Sequence, residues 1–105
     1  MITTVIGAFP KPKYLKITDW FNYTGGTDTS NPTALYEEEI KKMGVKSEKM
    51  FEKATKEVIE DQIDCGIDII TDGEIRRENY IHYHCRHLKG IDFNNLTEKV
   101  ARTGN

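Results

Sequence analysis

The sequence predicts an α/β fold, with parallel strands at about residues 3–6 and 67–71 and helices between them. Three observations carry this expectation. Thr3-Thr4-Val5-Ile6 is β-prone from almost the first residue, and Gly7-Ala8-Phe9-Pro10 ends it abruptly. Ile67, Ile69 and Ile70 form a short β-branched run, the pattern of a strand covered on both faces. Between the two, apolar residues recur at helical spacing from Ser47 to about Cys65. In parallel α/β folds, ligands gather where strands end, because a rigid sheet aims loop side chains into a crevice. The second strand ends in Thr71-Asp72-Gly73-Glu74, a polar turn with two acids, and Glu74 is the first candidate for a ligand-binding group.

After the first strand, Gly7 and Ala8 are small enough to admit a ligand to the backbone, while Pro10 and Pro12 stop further ladder pairing. Tyr14 to Phe21 carries Leu15, Ile17, Trp20 and Phe21, and reads as one or two helical turns. Asn22 to Asn31 is too polar to pack and reads as a flexible connection. Its Gly25-Gly26 pair lacks both the Lys-Ser/Thr of a phosphate loop and the third glycine of a dinucleotide fingerprint.

Asn31-Pro32 opens a helix, with a capping residue followed by proline in the first turn, and Gly44 closes it. Glu37, Glu38 and Glu39 precede Lys41 and Lys42, with Glu37–Lys41 and Glu38–Lys42 four residues apart, so this charge run reads as a solvated face. Ser47 is the expected cap of the longest helix. On that helix Met50, Phe51, Ala54, Val58 and Cys65 share one face, opposite Lys49, Lys53, Lys56, Glu57 and Glu60. Ile59 and Ile63 widen the apolar arc. Gln62 lies on the buried side, where its amide needs hydrogen-bond partners. Arg76 and Arg77 can pair with Asp72, Glu74 or Glu78. Asn79 to Leu88 reads as another helix ended by Gly90, Ile91-Asp92-Phe93 as the start of a strand, and Leu96 to Arg102 alternates at period two.

With 105 residues, 30% of them charged, and a mean hydropathy of −0.61, the chain is expected to form one small soluble domain. A net charge of −2 and a pI near 5.9 give no reason to expect nucleic acid or an acidic membrane as partner. There is no run of about 18 apolar residues and no basic leader, so the expected address is the cytoplasm. Cys65 and Cys85 are too few and too unpatterned for a disulfide framework and read as reduced.

His82-Tyr83-His84-Cys85-Arg86-His87 holds all three histidines, so a zinc reading must be weighed. On a helix, His82 and His84 diverge by roughly 160° and His82 and Cys85 by about 60°. One short helix cannot surround an ion from such directions, although His84 and His87 could supply two ligands. The expectation is instead a packed side made of Ile81, His84, Cys85 and Leu88, with His82, Arg86 and His87 toward solvent.

Two stretches together resemble one family in order and spacing. Thr3-Thr4-Val5-Ile6-Gly7-Ala8-Phe9-Pro10 is similar to the first strand and loop of the catalytic barrel of cobalamin-independent methionine synthases. Gln62-Ile63-Asp64-Cys65-Gly66-Ile67-Asp68-Ile69-Ile70-Thr71-Asp72-Gly73-Glu74-Ile75-Arg76-Arg77 is similar to the second. Asn79 to Phe93 resembles the helix and Gly-hydrophobic segment that follow.

The resemblance implies the amino-terminal part of a (β/α)8 TIM barrel. It also implies transfer of a methyl group, from a methylated folate or related donor, to the thiol of homocysteine, which zinc activates. It assigns the amino-acid substrate to Ile6, Gly7 and Ala8 in the first loop and its ammonium group to Glu74 in the second. Ala8 departs from the family's usual serine. The zinc ligands of the family lie on later strands, so no metal is expected on this chain alone and none is transferred to His82, His84 or Cys85.

A (β/α)8 barrel takes about 250 residues, and this chain carries roughly two of its eight strands. The expectation is therefore a truncated product or one half of a split protein, inactive alone, which associates with itself or with a complementary chain. Two alternatives stand beside it: a non-catalytic α/β binding or assembly module, and a related thiol transferase of the coenzyme M type.

Overall fold

The structure, a computed structural model, describes residues 1–19, 32–95 and 97. Helix α1 spans Pro32–Met43, a single 3-10 turn covers Gly44–Lys46, helix α2 spans Ser47–Asp64, and a one-turn helix α3 spans His82–Cys85. Helix α1 stops at Gly44, whose φ of 64° is open to glycine and strained for other residues. Lys42 reaches back to Glu38 at 2.7 Å. Glu39 departs from the solvated-face expectation: its carboxylate accepts from the Thr18 backbone N–H at 2.9 Å and from the Thr18 hydroxyl. That pins the first loop to α1.

Helix α2 starts without a cap from Ser47, because the 3-10 turn leads straight into it and Ser47 already has helical angles. Its buried face is Phe51, Ala54, Val58 and Gln62. It ends in a Schellman motif: the Gly66 N–H donates to Ile63 C=O at 2.9 Å and the Ile67 N–H to Gln62 C=O at 3.0 Å, with Gly66 at φ 76°. Cys65 therefore leaves the buried face and is exposed, contrary to the periodicity expectation. Ile63 is 57% exposed, so the apolar arc is narrower than the sequence implies.

The core joins Leu15, Ile17, Phe51, Ala54, Val58 and Ile75, with Phe9, Tyr14, Tyr36, Ile40, Met43 and Met50 packed around it. Burying each aliphatic side chain here contributes roughly 1.5–3 kcal/mol. Over the described residues 14–19 the expected helix is absent. Leu15, Ile17 and Asp19 are buried in alternation, and the Leu15 N–H bonds Pro12 C=O while Ile17 bonds Leu15, so the chain turns down onto α2 instead of coiling. Trp20, Phe21 and the glycine-rich connection lie outside the described residues.

Residues 3–9 run beside residues 68–73. Thr4 and Ile69 form an isolated parallel bridge, and no longer strand is present among the described residues. Ile6 is 98% exposed, Ile69 56% and Ile70 40%, so these segments have neither the covered faces nor the second neighbours that strands of a parallel sheet need.

The segment expected as a helix over 79–88 keeps one turn. Asn79 Oδ1 accepts from the Ile81 and His82 N–H groups at 2.9 Å each and starts it, and α3 rests on α1. Its sidedness departs from the expectation, although His87 is exposed as expected and Cys85 is half-buried. Ile81 and Leu88 are exposed, while Arg86 turns inward to pair with buried Glu78 and lies 4.2 Å over the Tyr36 ring. A single turn has too little apolar surface to set its own face, and the ion pair sets it. Residues 91–95 bend without forming a strand, and most of Leu96 to Arg102 lies outside the described residues.

Candidate functional site

The two segments meet in one register. Ile69 N–H donates to Thr3 C=O at 3.0 Å, and the Thr4 hydroxyl to Ile69 C=O at 2.8 Å. Asp68 locks the start, because its Oδ2 accepts from the Thr3 N–H at 2.8 Å and the Thr3 hydroxyl at 2.9 Å. Carried forward, the register that pairs Thr4 with Ile69 pairs Ala8 with Gly73. The bond that such a parallel pair makes is present: Phe9 N–H to Gly73 C=O, 2.8 Å. The peptide unit after Ala8 is thus bonded to the peptide unit before Glu74.

The second loop is held from below. Gln62, 2% exposed, places its amide nitrogen 3.0 Å from Val58 C=O and 2.9 Å from Thr71 C=O, and its Oε1 accepts from the Thr71 N–H at 2.9 Å. Its role is structural, and its donors and acceptor are all used. Gly73 then turns at φ 64° so close to α2 that a β-carbon would lie 2.4 Å from Val58 Cγ1 and 3.2 Å from the Phe9 ring. The Asp72 carboxylate accepts from the Glu74 N–H at 2.9 Å, and Arg77 N–H closes the turn on Glu74 C=O at 2.9 Å. Glu74 itself sits at φ 50°, a left-handed conformation that a residue with a β-carbon adopts at a cost.

The side chains around this turn divide into two pairs. Arg76 reaches away to Glu48 on α2 and lies over the Phe51 ring. Arg77 Nη2 lies 2.8 Å from Glu74 Oε2. The contact is a close ion pair without an aligned hydrogen bond, since Oε2 is enclosed yet has no donor in hydrogen-bond geometry. Asp72, Glu74, Arg76, Arg77, Tyr83 and His84 line a shallow cavity of about 160 Å³. Acids and bases facing one small space suit a molecule carrying both an ammonium and a carboxylate group.

Of the sequence-predicted residues, Ala8 and Glu74 come together through their peptides. Ile6 and Gly7 lie earlier on the first segment, Ile6 fully exposed and Gly7 at φ 92°, and of the four predicted residues Glu74 alone lines the cavity. Among the described residues, no three His, Cys, Asp or Glu side chains gather as a metal ion requires. No helix among them is long and apolar enough to cross a membrane.

Sequence reasoning missed Lys11 and Asp19. Both side chains are buried, at 0% and 3% exposure, with Lys11 Nζ 3.0 Å from Asp19 Oδ2 and 2.7 Å from Arg77 C=O. A lysine between two prolines reads as surface, and only its distance in space from Arg77 could have marked it.

The profile of the family described as the cobalamin-independent synthase catalytic domain matches residues 1–105. The methionine synthase of Sulfolobus acidocaldarius is 32% identical over 91 residues, covering 87% of this chain and 22% of the relative. Those of Saccharolobus islandicus (strain L.S.2.15) and Saccharolobus solfataricus are each 29% identical, covering 87% of this chain and 23% of the relative. The chain therefore spans less than a quarter of the length of these relatives. No solved structure matches it.

Proposed function

The chain belongs to the cobalamin-independent synthase catalytic-domain family, and on that footing we propose that it is the amino-terminal part of a (β/α)8 methyltransferase barrel. The reaction is transfer of a methyl group from a methylated folate to the thiol of homocysteine. In this reading the exposed Ile6, Ile69 and Ile70 are faces that the remaining barrel strands cover.

One observation carries the reading: the Phe9–Gly73 hydrogen bond sets the first loop against the acid-bearing second loop at a common rim. The free carboxylate oxygen of Glu74 accepts the substrate ammonium in the cavity, and the rest of the amino acid extends beyond the cavity toward the backbone at Gly7 and Ala8. Among the described residues no three His, Cys, Asp or Glu side chains gather as a zinc ion requires, and the resemblance puts the zinc ligands on later strands of the barrel.

The test is Glu74→Gln in the complete barrel that carries this segment. A charge-assisted hydrogen bond to the ammonium is worth about tenfold or more in KM for homocysteine. The 4-mercaptobutanoate analogue, which lacks the amine, should be indifferent to the change. An unchanged homocysteine KM refutes the assignment.

A further inference from the structure

The turn that carries Glu74 is gripped by the first loop at both ends. At its entry Phe9 N–H holds Gly73 C=O at 2.8 Å, and at its exit Lys11 Nζ holds Arg77 C=O at 2.7 Å. Between these points Arg77 bonds Glu74 twice, by its backbone N–H at 2.9 Å and by the ion pair at 2.8 Å. Lys11 is an expensive residue to keep. Its side chain is fully enclosed, and Asp19, on the far side, neutralises it. Desolvating such a pair cancels most of its attraction, so the pair by itself is weak support for the fold. What it gives is a direction: an enclosed ammonium held by Asp19 on one side and aimed at the Arg77 carbonyl on the other.

We propose that Lys11 is a positioning residue for Glu74, acting through Arg77. Held by its carbonyl, Arg77 keeps its guanidinium against Glu74 Oε2 and leaves the other carboxylate oxygen to receive the substrate amine. The first loop thereby sets the aim of an acid that belongs to the second. This inference rests on the assignment of Glu74 to the substrate ammonium.

The experiment is a double-mutant cycle in the complete barrel, crossing Lys11→Met/Asp19→Asn with Glu74→Gln. Removing both buried charges leaves neither unpaired. The charge-free variant is expected to raise homocysteine KM about tenfold, which is roughly 1.4 kcal/mol, with kcat retained. Combined with Glu74→Gln it should add nothing further. Additive effects, or a fall in kcat at constant KM, overturn the role of Lys11 while leaving Glu74 in place. An unchanged KM in Glu74→Gln alone overturns the parent assignment instead. A second measurement needs no variant: in the 105-residue chain, heteronuclear NMR should find the Lys11 ammonium protons protected from exchange. Free exchange of those protons with water also overturns the inference.

Discussion

The carboxamide of Gln62 brackets the backbone of Thr71, giving its nitrogen to the Thr71 C=O and taking the Thr71 N–H on its oxygen, each at 2.9 Å. A side chain of α2 thus supplies the hydrogen bonds that a neighbouring strand would make. Gln62→Leu keeps the bulk and leaves both half-buried backbone groups without their partner. The expected loss is about 2 kcal/mol in urea denaturation, together with faster hydrogen exchange at the Thr71 amide. Unchanged exchange at that amide would show that the bracket is not what holds it.

Gly73 has no room for a methyl group. Gly73→Ala places a β-carbon 2.4 Å from Val58 Cγ1 at a backbone angle that only glycine adopts without strain. A destabilisation of about 3 kcal/mol is expected from the overpacking and the angle together. Adding Val58→Ala relieves the clash, so the double variant should lose less than the two single losses combined. Strict additivity by denaturant titration would contradict the packing.

Asp68 anchors the first segment under acid control. The Thr3 backbone N–H, and then the Thr3 hydroxyl, hold its carboxyl below the usual 3.8. A folded-state pKa below the unfolded one gives stability that is complete above about pH 4 and is lost as pH falls through the folded value. Protection of the Ile69 amide should therefore fall in acid before the α2 amides open, and Asp68→Asn should abolish that acid-dependent step. Simultaneous loss at all amides would count against a local anchor.

Tyr14 behaves in the opposite sense. Burial, followed by donation of its hydroxyl to Glu57 at 2.6 Å and the charge of Glu57, pushes its pKa up from 10.0 to about 12. The resulting stability is complete below pH 10 and is lost as pH rises through about 12. Alkaline spectrophotometric titration should show two of the five tyrosines ionising late, Tyr14 and the half-buried Tyr36, with only the Tyr14 share of that phase missing in Tyr14→Phe. Ionisation of Tyr14 together with the rest would remove the bond to Glu57.

What the sequence made legible is local in character. Pro32, Gly44 and Gly66 mark helix ends because backbone angles and missing donors act within a few residues. The places of Phe51, Ala54 and Val58 on the buried side of α2 follow from periodicity alone. The need of Gln62 for partners was also readable, since a polar group on an apolar face must be satisfied. The expectations that failed depended on contacts from afar. Ser47 does not cap because the preceding 3-10 turn already delivers the chain in helical geometry. Residues 14–19 do not coil, because burial of Leu15 and Ile17 in the core beside α2, and of Asp19 beside Lys11, outweighs local propensity. Arg86 faces inward because Glu78 and Tyr36 wait there. At the candidate site Glu74 was found from its place after a strand-like run, whereas Lys11 was not, because its partners at Arg77 and Asp19 carry no shared local pattern.

The double grip of Phe9 and Lys11 on the second loop bears on protein engineering. Grafting residues 71–77 from a relative while keeping the native residues 9–11 would present two carbonyls to donors of the wrong spacing. Chimeras should therefore tolerate crossover points that move both rims as one cassette and reject those that separate them. Any redesign of this part of the molecule has to be written in both loops at once.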